Sequence, residues 1–214
     1  MGSLCSYDQG KKAFVFQNLQ ADIEMGHHVE DLVFSPIVEL NERRITGKRK
    51  QYNPIIIKCI GNHEARLGKL LQYEPRWEGT VSMDDFKTRI DGLNEVVVDF
   101  MDSVIIDGIA YSHYFVSGVQ GRPASSARAL LAKTGMSATM GHTHTLDFAD
   151  STGPVGNRRR ALVCGSFHDK EHVGFAGPQV DQIWYNGLIY KHNVFEGNYD
   201  REEISVERLE QLYG

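Results

Sequence analysis

The segment Pro54–Arg66 reads PIIIKCIGNHEAR. Its first half is a β-branched apolar run behind a proline, the composition of a buried strand. Its second half is a Gly-Asn-His-Glu cluster, and Ala65 to Tyr73 then reads as helix. Strand, polar cluster, helix is a unit of layered α/β proteins. Such proteins build their sites beyond the carboxyl ends of strands. The segment therefore predicts an α/β fold and nominates Asn62 and His63 as site residues.

Upstream, Phe14 to Glu42 predicts mainly helix, with Pro36 as a bend or second helix start capped by Ser35. Glu74 to Glu95 reads as a long connection with a short helix around Met83 to Ile90, a candidate lid within a single domain spanning residues 1–214. Short strands follow at Val96–Val98, Val104–Ile106 and Ile109–Ser112, with Asp107-Gly108 as a hairpin turn. Ser125–Thr134 predicts helix and Met136–Met140 strand. Further strands are expected at Leu146–Ala149, Ala161–Cys164, Ile183–Trp184 and Leu188–Phe195, with a tight turn at Asn186-Gly187. Glu202–Tyr213 predicts a closing amphipathic helix.

Bulk properties narrow the function. The 214 residues are 41% hydrophobic, enough for a core, and carry a formal net charge of -5. That charge argues against a global basic field for nucleic acid. Lys48–Lys50 and Arg158–Arg160 read as solvated loops. Three cysteines, Cys5, Cys59 and Cys164, are too few and too scattered for a disulfide framework or thiolate zinc site, so a reducing, cytoplasmic setting is expected. No apolar run reaches the roughly 18 residues of a membrane span, and no signal peptide opens the chain.

Four of the nine histidines share a position. His63, His113, His142 and His144 each follow a predicted strand, and two clusters, GNHE and GHTH, open with glycine. In an extended segment His142 and His144 would project to one side, as a metal pair does. A lone histidine is more often structural, but four at strand ends point to a site. His27, His28 and His192 lack this context. His168 and His172, in SFHDKEH, follow a strand and stand at the rim of the pattern.

The order GNHE, a histidine after a strand, then GHTH resembles the calcineurin-like metallophosphoesterases, in particular their phage-encoded branch. The resemblance covers Ile55 to about Tyr199. It implies a two-sheet β-sandwich flanked by helices in four layers, with two metals at the strand ends. It implies that Asn62, His113 and His142 bind one metal, that His144 binds the other, and that His63 is the catalytic histidine. Arg66 is a candidate substrate-phosphate contact, or else a solvated surface arginine. Imidazole and amide donors suit divalent manganese first, then iron, zinc or nickel. The implied substrate is a phosphate ester, with a nucleotide or nucleic acid first to test. Its hydrolysis needs charge neutralisation and positioning above all.

Two motifs of that pattern, an Asp-x-His and a Gly-Asp cluster, do not occur in Met1 to Asn53. Asp8, Asp22 and Asp31 lack the strand that would precede them. The corresponding strands would be missing too, so the second metal site is expected to be incomplete. Exposed strand edges are then expected to drive self-association or pairing with a complementing N-terminal segment. The competing expectation is a catalytically weak or inactive module that serves in binding or assembly.

Overall fold

The computed structural model describes residues 18–86, 93–168 and 182–214. Cys5, Asp8, the first residues of the expected N-terminal helix, the end of the Met83–Ile90 helix and His172 lie outside them. The described chain is mixed α/β and falls into two compact units that divide between Phe100 and Met101.

The first unit opens with α1, Leu19–Thr46. Asn18 caps it, its Oδ1 accepting from the Gln20 and Ala21 amides at 2.8 and 3.3 Å. Asp22 in the first turn and Arg43 and Arg44 in the last complement the helix dipole. The second helix start expected at Pro36 does not occur, for one helix continues through that residue. Proline has no N–H for the Leu32 carbonyl four residues back. The Ser35 hydroxyl donates to that carbonyl instead, at 3.4 Å. Near the helix end, buried Asn41 grips residue 52: its Nδ2 donates to the Tyr52 carbonyl and its Oδ1 accepts from the Tyr52 amide, both at 2.8 Å.

The chain then enters β1, Ile55–Cys59, which pairs in parallel with β2, Asn94–Val98, Ile57 lying opposite Val96. Lys58 interrupts the apolar run because it reaches back to Glu30 of α1. Burial lowers its pKa, and Glu95 and Glu64 partly offset that. Helix α2, Ala65–Tyr73, follows. The unit's core gathers Ile23, Leu67 and Val81, with Leu19, Leu70, Leu71 and Met83 around them. The connection after α2 thus contributes Val81 and Met83 to a core.

The second unit is built on a five-stranded sheet in the order β3-β4-β5-β7-β6. Strands β3, Val104–Ile106, and β4, Ile109–Ser112, form the expected hairpin. Asp107 and Gly108 turn it with φ of 48° and 80°, the two left-handed positions of a tight hairpin turn. Helix α3, Ala127–Thr134, begins at Ser126, whose Oγ accepts from the Ala129 amide, and ends on left-handed Gly135. Strands β5, Ser137–Met140, β6, Leu146–Thr152, and β7, Arg158–Cys164, complete the sheet. Strands β4, β5 and β7 are mutually parallel, so their carboxyl ends share one edge.

Residue alternation assigns the two faces of this sheet. Ala110, Ala138, Met140, Ala161 and Val163 pack against Leu130 and Leu131 of α3. On the other face a hairpin of β8, Gly187–Phe195, and β9, Asn198–Ser205, brings Lys191 against Tyr111 and Thr139. Helix α4, Val206–Tyr213, closes the chain.

Several expectations are corrected here. Arg158–Arg160 is not a solvated loop but the start of β7. Arg158 forks onto Asp150 of β6, Arg160 approaches the same carboxylate, and Arg159 donates to the Gly135 carbonyl. Ile183–Trp184 is not a strand, and Asn186-Gly187 is not a turn: Asn186 bridges to Ser166 and Gly187 opens β8. The terminal helix starts at Val206 rather than Glu202, because Glu202–Ser205 pair with β8 first and Ser205 then caps the helix.

Candidate metal and phosphate site

In the first unit β1 delivers Asn62 and His63 beyond its carboxyl end. The Ile60 amide still donates to the Val98 carbonyl at 2.9 Å, holding the exit in place. Glu64 reaches back so that its Oε2 accepts from the Gly61 amide at 2.9 Å. The turn leads into α2 through the Ala65 amide, which donates to the Gly61 carbonyl. Asn62 and Arg66 are half-buried and His63 is exposed. Arg66 stands in the first turn of α2.

In the second unit the histidines leave the shared carboxyl edge of the parallel strands. Ser112 of β4 lies opposite Met140 of β5, so the residues after each strand start as neighbours. The Gly141 amide donates to the His113 carbonyl at 3.1 Å. Beyond it, His113 Nε2 and His142 Nδ1 share a hydrogen bond at 3.0 Å, the rings edge-on with centroids 5.0 Å apart. Tyr114 packs its ring 4.8 Å from His142. These two imidazoles, 29 positions apart in the chain, meet as the strand-end reading expects.

His144 does not follow the expected geometry. The GHTH segment is not extended: His142 and His144 both adopt left-handed backbone, with φ of 66° and 60°. Alternation therefore does not orient them. His144 instead turns toward Trp184, at 4.5 Å between centroids, and His168, at 5.8 Å. Its Nδ1 is buried with no hydrogen-bond partner among the described residues. A buried polar atom left this way costs about 1–3 kcal/mol.

Burial favours the neutral form of two of these rings. Burial lowers the pKa of His142. His144 is lowered first by burial and then by the positive charges His168 and His142 would carry. A neutral imidazole has the lone pair that a cation needs.

The His113–His142 pair passes a simple test of fit. Two nitrogens bound at right angles on one cation, each about 2.1 Å away, stand about 3.0 Å apart. The observed separation matches two positions of such a shell as well as it matches a hydrogen bond. Among the described residues, no group of three or more His, Cys, Asp or Glu side chains is arranged to hold a metal ion. Asparagine lies outside that set, so Asn62 is not judged by it. The pair fits as two donors that leave the remaining positions to other ligands.

A separate cleft lies elsewhere in the second unit. It has a volume of about 710 Å³ and runs between α3 and the edge strand β6. Three of its charged groups are already engaged: Asp147 accepts from the Ala127 amide, Asp150 holds Arg158, and Arg159 binds the Gly135 carbonyl. Chemistry needs convergent groups more than volume, so the histidine edge is the stronger candidate.

Two features escaped the sequence reading. Lys191 stands over the rings of Tyr111 and Tyr199, 4.4 and 4.6 Å from their centroids. Trp184 joins the histidines although nothing in its local pattern marks it. Its only signal is its place beside Tyr185 and Asn186 in a short polar-aromatic stretch. Among the described residues no helix is long and apolar enough to cross a membrane. No family model matches the chain, and neither a curated protein nor a solved structure matches it.

Proposed function

We propose that this chain is a metal-dependent phosphoesterase that hydrolyses a phosphodiester. The observation that carries the reading is the His113–His142 pair at 3.0 Å on the carboxyl edge of parallel strands. The order of GNHE and GHTH, resembling the calcineurin-like metallophosphoesterases, supports it. His113 and His142 would hold a divalent cation, manganese first, with His144 toward a second position; Asn62 is the further donor that the resemblance implies. When bound, such a cation neutralises phosphoryl charge and makes water a nucleophile near neutral pH.

The chain's own residues would do the remaining work. His63, exposed beyond the end of β1, would protonate the leaving oxygen, a task suited to an imidazole. Arg66 would steady a phosphate oxygen through its planar fork. The finer architecture that goes with this reading is a four-layer sandwich. A nucleotide or nucleic acid is the first substrate class to test. A second copy of the chain would add a strand beside β1 and β2.

A second reading is an inactive binding or assembly module. It is favoured by the lack, among the described residues, of a three-donor carboxylate–histidine group. Hydrolysis of bis(p-nitrophenyl) phosphate with added Mn²⁺ separates the two. The enzyme reading expects activity in the parent and at least a hundredfold loss in His63→Ala and His142→Ala. Equal rates in all three proteins would leave the module.

A further inference from the structure

We propose that His144 and His168 together hold a divalent transition-metal cation, with Trp184 as the apolar wall of the site. This deepens the phosphoesterase reading and rests on it only for the use to which the cation is put. It names His168 as a ligand that the GNHE and GHTH pattern does not assign.

Both histidines stand on fixed backbone. The His144 carbonyl accepts from the Tyr185 amide at 2.9 Å. The His168 amide donates to Asn186 Oδ1 at 2.8 Å, and Asn186 Nδ2 donates back to the His168 carbonyl. Asn186 is buried, 6% exposed, so this clamp is dry. The Ser166 amide donates to the Tyr185 carbonyl at 2.9 Å, and the Gly165 amide to the Thr145 carbonyl at 3.0 Å. Gly165 makes the approach possible: its φ is +75°, and a Cβ there would stand 2.7 Å from the Tyr185 carbonyl oxygen. Three chain segments around residues 144, 166 and 185 are therefore sewn together beneath the two rings.

The rings themselves have the right reach. A coordinated imidazole has its centroid about 3.2 Å from the cation, so two rings on one cation lie no more than about 6.4 Å apart. The His144–His168 separation of 5.8 Å is inside that limit. His144 Nδ1 is buried and lacks a hydrogen-bond partner among the described residues, and a cation would give such an atom a partner. Trp184 sets its ring edge-on to both, 4.5 Å from His144 and 5.7 Å from His168, which restricts water on that side. Two imidazoles beside an indole, with the remaining positions left to water, suit nickel, cobalt, copper or zinc rather than calcium or magnesium.

The test uses Trp184 as reporter. The chain has two tryptophans, so Trp77→Phe leaves Trp184 alone. In that protein, Ni²⁺ is expected to quench indole fluorescence saturably. His168→Gln and His144→Gln are each expected to raise the midpoint at least tenfold, with an unchanged urea midpoint showing that the fold is kept. His192→Gln, on the β8–β9 hairpin, is expected to titrate as the Trp77→Phe parent. A His168→Gln titration identical to the parent's, or Ni²⁺ binding without quenching, would overturn the proposal. If hydrolysis falls in His142→Ala while His168→Gln leaves the quench intact, this inference fails and the phosphoesterase reading stands. Saturable, His168-dependent quenching with no hydrolysis by any variant keeps the cation site and removes the phosphoesterase reading.

Discussion

His142 and His144 adopt left-handed backbone, a region that β-carbon-bearing residues enter seldom and at a cost. The Thr143 amide, donating to the Gly141 carbonyl at 2.8 Å, and the Gly141 amide, donating to that of His113, hold them there. The GHTH letters announce a histidine site but not this twist, because alternation applies only while the chain stays extended. The pairing of His113 with His142 was legible, since parallel strands deliver the residues after them to one edge. The turning of His144 toward Trp184 was not, for it depends on a hydrogen bond from Tyr185, forty-one positions on. Glycine identity, by contrast, was readable at Gly108. Its φ is +80°, and a Cβ there would stand 2.7 Å from the Gly197 amide nitrogen. Gly108→Ala is expected to cost about 2–3 kcal/mol in urea unfolding, from backbone strain and the clash together. A loss under half a kcal/mol would show that the two turns are not in contact.

Elements were legible where their residues decide locally. The β3–β4 hairpin falls on its expected residues because Asp107-Gly108 sets the register. Strand β9 was missed because Glu202 and Glu203, exposed on a hairpin, look like the first turn of the amphipathic helix that follows. Pro36 signals a bend or a second helix start because a proline inside a helix normally costs about 3 kcal/mol, yet α1 continues through it. The Ser35 hydroxyl relieves part of that cost. Pro36→Ala is expected to restore the amide bond to the Leu32 carbonyl and to stabilise the first unit by about 1–3 kcal/mol, read as a higher thermal midpoint. A lower midpoint would mean that the proline is needed where it stands.

The β8–β9 hairpin carries a pH dependence. Lys191 Nζ donates to Tyr111 Oη at 3.1 Å and to Thr139 Oγ1, and burial lowers its pKa to about 8 from the ordinary 10.5. Between those values the unfolded chain binds more protons than the folded one, so this group makes stability rise with pH. The full effect is about 3–4 kcal/mol, less what the two tyrosine rings return to the ammonium. Unfolding free energies at pH 7 and pH 9.5 are expected to show this rise in the parent and its loss in Lys191→Met. An identical slope in both proteins would place the ammonium in water.

At the scale of the whole molecule the first unit poses a packing problem. A parallel pair of strands is normally covered on both faces, and two strands alone are marginal in water. Here Ile55 is 65% exposed and Val96 40% exposed. Glutamate at both positions is expected to shift sedimentation from a concentration-dependent associated species to monomer. A parent that sediments as monomer at all concentrations would remove association from the account. The mixed α/β class was legible because it follows from short-range pattern. Association of the first unit's strand pair stays an expectation that this sedimentation measurement decides.

The central claim is that His113 and His142 grip one cation, and Mn²⁺ titration followed by electron paramagnetic resonance tests it directly. Free Mn²⁺ gives a six-line signal that binding suppresses. The parent is expected to deplete that signal at micromolar protein, and the folded His113→Ala/His142→Ala double variant to leave it at its buffer intensity. Equal depletion by both proteins would mean that the cation sits elsewhere.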